Sequence, residues 1–363
     1  MLEYGNNYDN IHITADKIDC YNKIFNFIQS LRSIGKTTLM ARKMIKTFEE
    51  EGRCSLLLYS QVIDITESRI ADIQSAMNKF RTKEKQVRFY YKASALKEGV
   101  VDVYTSSDDL KNKVHPIFRI LALSKPTYIL KGGVLFNLKY IFMDEYIVNI
   151  YAKEKYRDDM VFKFQEIYNT YLRESDYIRC YFFGNIYSHF NPFHEWKGLD
   201  MNNMLPGTKQ LTDDTFYWNV KPSEQLLEEL RKNPLYKNPN DPYTKYALEG
   251  IAVNDLNKKV IPTQPKGYRM QYLFKYNNMY IAIYCSTNTT NEFPYWASVV
   301  NWNPNNQRQA MCFDFSQLGR GTFMPSRQMI LMLMPLKNAL MSWSIAYQSV
   351  SVSYYLEYIY SFI

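Results

Sequence analysis

A short apolar run, followed by a polar loop and a helical stretch, limits more than any other pattern the folds open to this chain. Residues 24–28 predict a buried strand, and residues 38–50 predict a helix that Gly52 ends. The loop between them closes with Gly35-Lys36-Thr37. Such a loop presents backbone N–H groups and a helix N-terminus to an anion. The order therefore predicts a phosphate-binding loop in an α/β fold.

The loop matches the motif G-x-x-x-x-G-K-[ST] except at its first position, where Ser30 replaces glycine and leaves the loop conformation open. We expect Lys36 to reach the β- and γ-phosphate oxygens of ATP and to act in catalysis, and the Thr37 hydroxyl to hold Mg²⁺. The alternative is a Gly-Lys-Thr that merely starts a helix. The predicted nucleotide-binding residues are Ser30, Leu31, Arg32, Ser33, Ile34, Gly35, Lys36, Thr37 and Thr38.

A second apolar strand ends in two acids. Residues 139–143 precede Asp144 and Glu145, which is the arrangement of a Walker B motif. One carboxylate of such a pair holds Mg²⁺, and we assign this role to Asp144. Glu145 can orient and deprotonate an attacking water as the general base. The alternative, an acidic pair that happens to end a strand, is disfavoured by the Gly-Lys-Thr loop earlier in the chain.

A third apolar strand, residues 178–183, is followed by Gly184 and Asn185. Because the carboxyl ends of parallel strands face the ligand in an open sheet, Asn185 is placed to sense the γ-phosphate or the attacking water. We therefore count Asn185 among the catalytic residues. The alternative is a turn residue that follows a strand.

Strands and helices alternate as far as Pro192, which favours a mostly parallel sheet covered on both faces. The order of the motifs favours a P-loop domain of the type with an additional strand and a catalytic Glu. After Pro192 the pattern weakens, and strands return beyond Gly267. We therefore predict an ATPase domain over 1–197, a linker or connecting subdomain over 198–256 and a smaller α/β domain over 257–363. Further predicted elements are strands at 55–59, 117–123, 270–276, 279–285, 296–302 and 310–315, helices at 63–83, 159–172 and 224–232, a hairpin of 87–91 with 100–104, and a helical region from 326.

The 363 residues carry a formal net charge of +8, with 46% hydrophobic and 22% charged residues, a composition that excludes disorder and collagen. Residues 231–363 hold 13 Lys and Arg against 6 Asp and Glu, net +7, so the first 230 residues are almost neutral. A basic C-terminal part indicates an anionic partner, or else a solvated lysine-rich surface. The five cysteines are far apart and favour reduced thiols over a zinc site or disulfides. We find neither a secretion signal nor a membrane span.

The motifs resemble those of the DNA-packaging ATPases of small short-tailed phages with protein-primed genomes, which are compact relatives of the large terminase subunits. The resemblance rests on Arg32, Gly35-Lys36-Thr37, Asp144-Glu145, Arg173, and the run from Cys180 to Asn185 followed by Asn191-Pro192. It is specific over residues 21–193 and rests mainly on order and length beyond them. It implies a ring, of five copies, on the capsid portal (connector), which pumps double-stranded DNA into the prohead in the host cytoplasm. A packaging RNA is a further candidate partner.

The resemblance also implies roles for individual residues. Arg173 matches the family's arginine finger, which acts on the neighbouring subunit's site; the sequence alone indicates only an exposed cation at a helix end. Lys131 matches a second basic residue placed across the interface, and Arg32 matches a basic residue of the loop. The cofactors implied are ATP and Mg²⁺.

The C-terminal domain is expected, by the same resemblance, to be similar to the RNase H-like nuclease of large terminases. Such a nuclease needs clustered carboxylates for two metal ions. Beyond Asp255 the chain offers only Glu292, Asp314 and Glu357. We therefore expect a vestigial nuclease that no longer cuts and whose positive charge serves DNA, an RNA or the portal.

Two other functions remain open from the sequence. One is another oligomeric nucleic-acid ATPase, such as a helicase or a segregation motor, which the lack of a recognisable helicase motif set disfavours. The other is an assembly module that binds nucleotide without hydrolysing it. Glu145 argues against that module, because nucleotide binding alone does not need a general base.

Overall fold

The structure is a computed structural model, and it describes residues 13–31, 34–79, 81–130, 137–147, 159–188, 191–201, 203–238, 241, 244, 248, 259–276, 279–288, 290–303, 305, 308–313, 318–342 and 344–360. The described residues form two sheets, one of eight strands and one of seven. No helix in these ranges is long and apolar enough to cross a membrane.

The first sheet is mostly parallel. Only the outermost pair of strands at each edge is antiparallel. Across the sheet the strands follow the order β3 (Val100–Val103), β4 (Phe118–Ala122), β2 (Cys54–Tyr59), β5 (Leu138–Asp144), β6 (Arg179–Asn185), β1 (Phe25–Ser30), β8 (Thr215–Val220) and β7 (Lys209–Leu211).

Helices cover both faces of this sheet, because its central strands are buried on both sides and need apolar cover. On one face pack α2 and α3, through residues such as Met44 and Ile73. On the other pack α7 and α8, through Phe164 and Phe193. The helices around this sheet are α1 (Asp16–Asp19), α2 (Lys36–Glu51), α3 (Glu67–Asn78), α4 (Ala93–Glu98), α5 (Ser107–Asn112), α6 (Thr127–Leu130), α7 (Met160–Leu172), α8 (Pro192–Trp196) and α9 (Glu224–Arg231).

Local signals set several helix ends as predicted. Gly52 ends α2 in the left-handed region with φ of +65°, a conformation that glycine adopts without a Cβ clash. The Ser223 hydroxyl accepts from the Leu226 N–H and caps α9. Asp159 is the N-cap residue of α7, where the predicted helix begins.

The predicted hairpin of residues 87–91 with 100–104 is wrong. Only one isolated bridge joins these segments, between Tyr90 and Tyr104, and β3 pairs with β4 instead. The segment between them contains α4, which Gly99 ends with φ of +74°. The apolar residues of 87–91 bury single side chains, such as that of Phe89, but they do not form a paired strand.

The first sheet also extends beyond the predicted boundary at residue 197. Strand β8 pairs in parallel with β1, and β7 pairs with β8. Residues 209–220 therefore belong to the first sheet, although the sequence prediction placed them in a linker. The division of the chain into domains stays a prediction.

The second sheet has an antiparallel centre with parallel strands added on both sides. Strands β10, β11 and β12 are antiparallel neighbours, β13 joins β10 in parallel, and β14 joins β13 in parallel. Strand β15, which the sequence analysis missed inside a predicted helical region, joins β12 in parallel. The elements are β9 (Lys259–Val260), β10 (Tyr268–Tyr276), β11 (Met279–Ser286), β12 (Tyr295–Val300), β13 (Ala310–Met311), β14 (Thr322–Phe323), β15 (Ile345–Tyr347), α10 (Arg327–Met332), α11 (Met334–Met341) and α12 (Val350–Tyr360).

Candidate functional site

Four of the predicted site residues, Ser30, Leu31, Lys36 and Asn185, meet at the carboxyl ends of two neighbouring strands. Strand β1 pairs with β6 in a register that places Ser30 opposite Asn185. The Lys36 ammonium donates to Ser30 Oγ at 2.8 Å, to the Leu31 carbonyl at 3.0 Å and to Asn185 Oδ1 at 3.0 Å. The three N–H donors of the ammonium match these three acceptors, so the Lys36 side chain is folded back over its own loop with its hydrogen bonds made there.

The loop itself has the geometry of a helix entrance. Gly35 has φ of +93° at the N-cap of α2, a conformation that disfavours any residue with a Cβ. Ile34 is buried, and its carbonyl accepts from the Ile13 N–H at 3.1 Å. Thr37 and Thr38 lie half-buried in the first turn of α2. The predicted loop residues Arg32 and Ser33 lie outside the described residues.

Asp144 is the last residue of β5 and Glu145 directly follows it; β6 lies between β5 and β1. Asp144 is half-buried and its Oδ1 accepts from the Glu145 N–H at 3.1 Å. Burial raises the pKa of Asp144 to about 6, the negative charge of Glu145 adds to the rise, and Lys36 and Arg69 oppose it. A half-buried carboxylate beside a second one is a site that favours a bound cation.

Glu145 adopts φ of +54°, an uncommon conformation for a residue with a side chain. Its carboxylate Oε2 is 2.7 Å from Arg69 Nη2. Arg69 lies in the first turn of α3, and its guanidinium stands 5.0 Å from the centre of the Tyr59 ring. The turn after β5 is therefore held by a partner from the helix that follows β2.

Sequence reasoning missed Arg69. Nothing in its local pattern distinguishes it from a solvated helix residue. The signal lies in the strand order, because β2 is the neighbour of β5 and the segment after β2 therefore begins beside the acids. That order was not deduced from the sequence.

Tyr146, the residue after Glu145, holds the same turn through contacts with α8 and with the residue that precedes this helix. Tyr146 is fully buried, and its hydroxyl is 2.7 Å from Nε2 of the buried His194 in α8. Its carbonyl accepts from the Asn191 side-chain amide at 3.0 Å. A Cβ on Gly184 would lie 2.8 Å from carbons of both Tyr146 and Ile147, so the glycine permits the close approach of β6 to this turn.

One described residue of the predicted set, Arg173, is not brought into this cluster. Arg173 is the exposed C-cap residue of α7, at an open depression of about 580 Å³ that is also lined by Glu166 and Asn169. Among the contacts described for the chain, it takes no part in those around Lys36. Lys131 lies outside the described residues.

The residues present fit ATP and Mg²⁺ by the chemistry of their donor set. The Thr37 hydroxyl and the Asp144 carboxylate are hard oxygen ligands, and Mg²⁺ typically takes one or two carboxylates together with substrate phosphates. The N-terminus of α2 presents N–H groups to a phosphate. The Lys36 ammonium carries a positive charge of the kind that a β- or γ-phosphate would need.

The two described acids beyond residue 255 differ in exposure. Glu292 is exposed, whereas Glu357 is 7% exposed and points at Ser188. Asp314 lies outside the described residues. Within the described ranges no group of three or more His, Cys, Asp or Glu side chains could hold a metal ion.

Known structures with the same fold are DNA-packaging motors. The phi-28 gp11 DNA packaging motor matches with a TM-score of 0.63 and 14% identity, over 98% of this chain and 98% of that chain. The bacteriophage phi-29 viral genome packaging motor assembly matches with a TM-score of 0.57 and 16% identity, over 97% and 99%. No family model and no curated protein matches. At these identities the likeness establishes the fold, and the resemblance predicted from the motifs is confirmed at that level.

Proposed function

We propose that this chain is an ATP-hydrolysing motor that translocates viral double-stranded DNA into a preformed capsid. The observation that carries the proposal is the convergence of Lys36, Ser30 and Asn185 at the ends of β1 and β6, next to the two acids that end β5. That arrangement occurs in a chain whose fold matches packaging motors over nearly its whole length.

The residues divide the work of hydrolysis between them. Lys36 exchanges its contacts with Ser30 and Asn185 for phosphate oxygens, which frees the Asn185 amide to contact the γ-phosphate or the attacking water. Thr37 and Asp144 hold Mg²⁺, which neutralises charge on the phosphates. Glu145 accepts the proton of the attacking water.

Arg69 controls the availability of Glu145. The Glu145 carboxylate is engaged by the Arg69 guanidinium, with Oε2 at 2.7 Å from Nη2, and is held in that orientation by the ion pair. Glu145 must therefore turn away from Arg69 before it can take a proton. The pair keeps the base occupied when no nucleotide is ready for hydrolysis.

The domain class and the assembly are part of the same proposal. One strand, β6, lies between β1 and β5, which supports the P-loop class with an additional strand and a catalytic Glu. We propose a ring of five copies at the portal, in the host cytoplasm, with a packaging RNA as a further partner. Arg173 is exposed at the end of α7 and so is accessible to act on a neighbouring site, with Lys131 as a second basic residue.

We further propose that the second sheet belongs to an RNase H-like domain without nuclease activity. Its order β12-β11-β10-β13-β14, antiparallel through the first three strands and parallel through the last two, supports that assignment. Glu357 is buried against Ser188 and is therefore not available to a metal at the surface. The positive charge of this part suits DNA or another polyanion.

The experiment that tests the proposal uses Glu145→Gln in the full chain. This variant keeps the size of the side chain and removes the base, so we expect unchanged binding of a fluorescent ATP analogue and at least a hundredfold lower turnover. Lys36→Ala should instead lose binding as well. A Glu145→Gln variant that hydrolyses ATP at the wild-type rate would exclude Glu145 as the base. A wild-type protein that binds nucleotide without turnover would favour the assembly module.

A further inference from the structure

A short turn links the phosphate-sensing side chain to the last helix of the chain. It comprises residues 185–188 and is closed by a hydrogen bond from the Tyr187 N–H to the Asn185 carbonyl at 2.9 Å. Its first residue contacts Lys36 at 3.0 Å. Its last residue, Ser188, is 3% exposed and donates from Oγ to Glu357 Oε2 at 2.8 Å.

Ser188 is held from two opposite directions. Its carbonyl accepts from the side-chain amide of Gln29 at 3.4 Å, and Gln29 directly precedes Ser30 of the loop. The side-chain oxygen Oε1 of Gln29 accepts in turn from the Tyr217 hydroxyl at 2.7 Å. The main chain of Ser188 is thus fixed to the first sheet while its hydroxyl is fixed to α12.

The partner on α12 belongs to the other unit of the fold. Glu357 lies 169 residues further along the chain, and its neighbours Leu356 and Ile359 are core residues of the second sheet. A hydrogen bond to a carboxylate at 7% exposure is stronger than the same bond in water, because the surroundings screen it less. The position of Ser188 therefore depends on the position of the C-terminal unit.

A second contact joins the two units beside the acids. The hydroxyl of Tyr276 in β10 donates to the Glu195 carboxylate in α8. His194 of the same helix holds the Tyr146 hydroxyl at 2.7 Å, directly after Glu145. Two paths therefore connect the site to the second sheet. One runs from Asn185 through Ser188 to Glu357, and the other runs from the turn after Glu145 through α8 to Tyr276.

We propose that Glu357 is a positioning residue for ATP hydrolysis, which acts through Ser188 to hold Asn185 and so makes turnover depend on the placement of the C-terminal unit. The proposal rests on the proposed function, since it assumes that Asn185 contacts the γ-phosphate or its water. Movement of the C-terminal unit on its polyanionic partner then changes the geometry around the γ-phosphate without any direct contact of that partner with the nucleotide.

The test is a double-mutant cycle on full-length protein, with kcat and KM for ATP measured for each variant and folding checked by thermal unfolding. We expect kcat to fall about tenfold in Ser188→Ala and in Glu357→Ala, because each variant loses one hydrogen bond to a charged group. KM should change less than about twofold, because neither residue contacts the nucleotide. The double variant should be no slower than either single variant. Glu357→Gln keeps an acceptor for the Ser188 hydroxyl and should retain kcat within about twofold.

Ser55→Ala is the matched control. Ser55 is also fully buried in the first sheet, and its hydroxyl has no hydrogen-bond partner among the described residues, so its loss should leave kcat unchanged. If Glu357→Ala does not fold, Ser188→Ala removes the same bond from the other side and decides the question. Wild-type kcat in Ser188→Ala, or additive losses in the double variant, would overturn the proposal. Absence of turnover in the wild type would instead overturn the proposed function.

Discussion

Gly184 is the position where the structure gives the sharpest quantitative prediction. A Cβ added there would lie 2.8 Å from two carbons of Ile147 and from one carbon of the Tyr146 ring. Carbon atoms pack at about 3.5–4.0 Å, so the neighbours must move by about 0.7 Å or more. Both neighbours are buried, at 1% and 0% exposure, and the Tyr146 hydroxyl is bonded to His194. Because both side chains are buried, such a shift disturbs their packing with the surrounding core.

We therefore expect Gly184→Ala to behave as an overpacked core variant. Overpacking of this kind costs about 1–3 kcal/mol, and each kcal/mol lowers Tm by about 2–4 °C in a domain of 150–250 residues. Tm should fall by about 2–12 °C. Because Tyr146 directly follows Glu145, kcat for ATP should also fall about tenfold or more, as the base moves from its position.

The assay is thermal unfolding followed by circular dichroism, together with a coupled ATPase measurement. Gly319→Ala is the matched control, because a Cβ there meets nothing within 4 Å and the backbone needs no positive φ. It should unfold and hydrolyse as the wild type does. A Gly184→Ala protein whose Tm lies within about 1 °C of this control would refute the packing argument.

Three further predictions concern the site and the assembly. Arg69→Ala should change the free energy of unfolding by less than about 1 kcal/mol, because the ion pair with Glu145 is partly exposed. The same variant should raise the DNA-independent ATPase rate several-fold, because Glu145 is no longer held by Arg69. A lower rate would contradict the restraining role of Arg69. Arg173→Ala subunits mixed with Lys36→Ala subunits should regain some ATPase by complementing each other across an interface, whereas no recovery would argue against a trans-acting finger. Supercoiled plasmid incubated with the protein and Mg²⁺ or Mn²⁺ should stay intact, and metal-dependent nicking would contradict the loss of nuclease function.

The parts of the fold that the sequence predicted well are those set by local patterns. Apolar runs predicted β1, β2, β5 and β6, and the predicted helix after the loop matches α2 with its end at Gly52. The hairpin failed because Tyr90 and Tyr104 form one bridge only, a fact that depends on β4 taking the pairing edge of β3. Strand β15 was missed because its three residues lie between two helices and pair with a distant strand.

Local sequence patterns predict which reactive groups are available: a Gly-Lys-Thr loop at a helix start, two acids at the end of one strand and an amide at the end of another. Tertiary structure decided which of these groups meet. Lys36 reaches Asn185 across 149 residues, Arg69 reaches Glu145 across 76, and Ser188 reaches Glu357 across 169. The physical reason is that strand order and register place strand ends side by side, and apolar periodicity specifies which face a strand buries without specifying its neighbour.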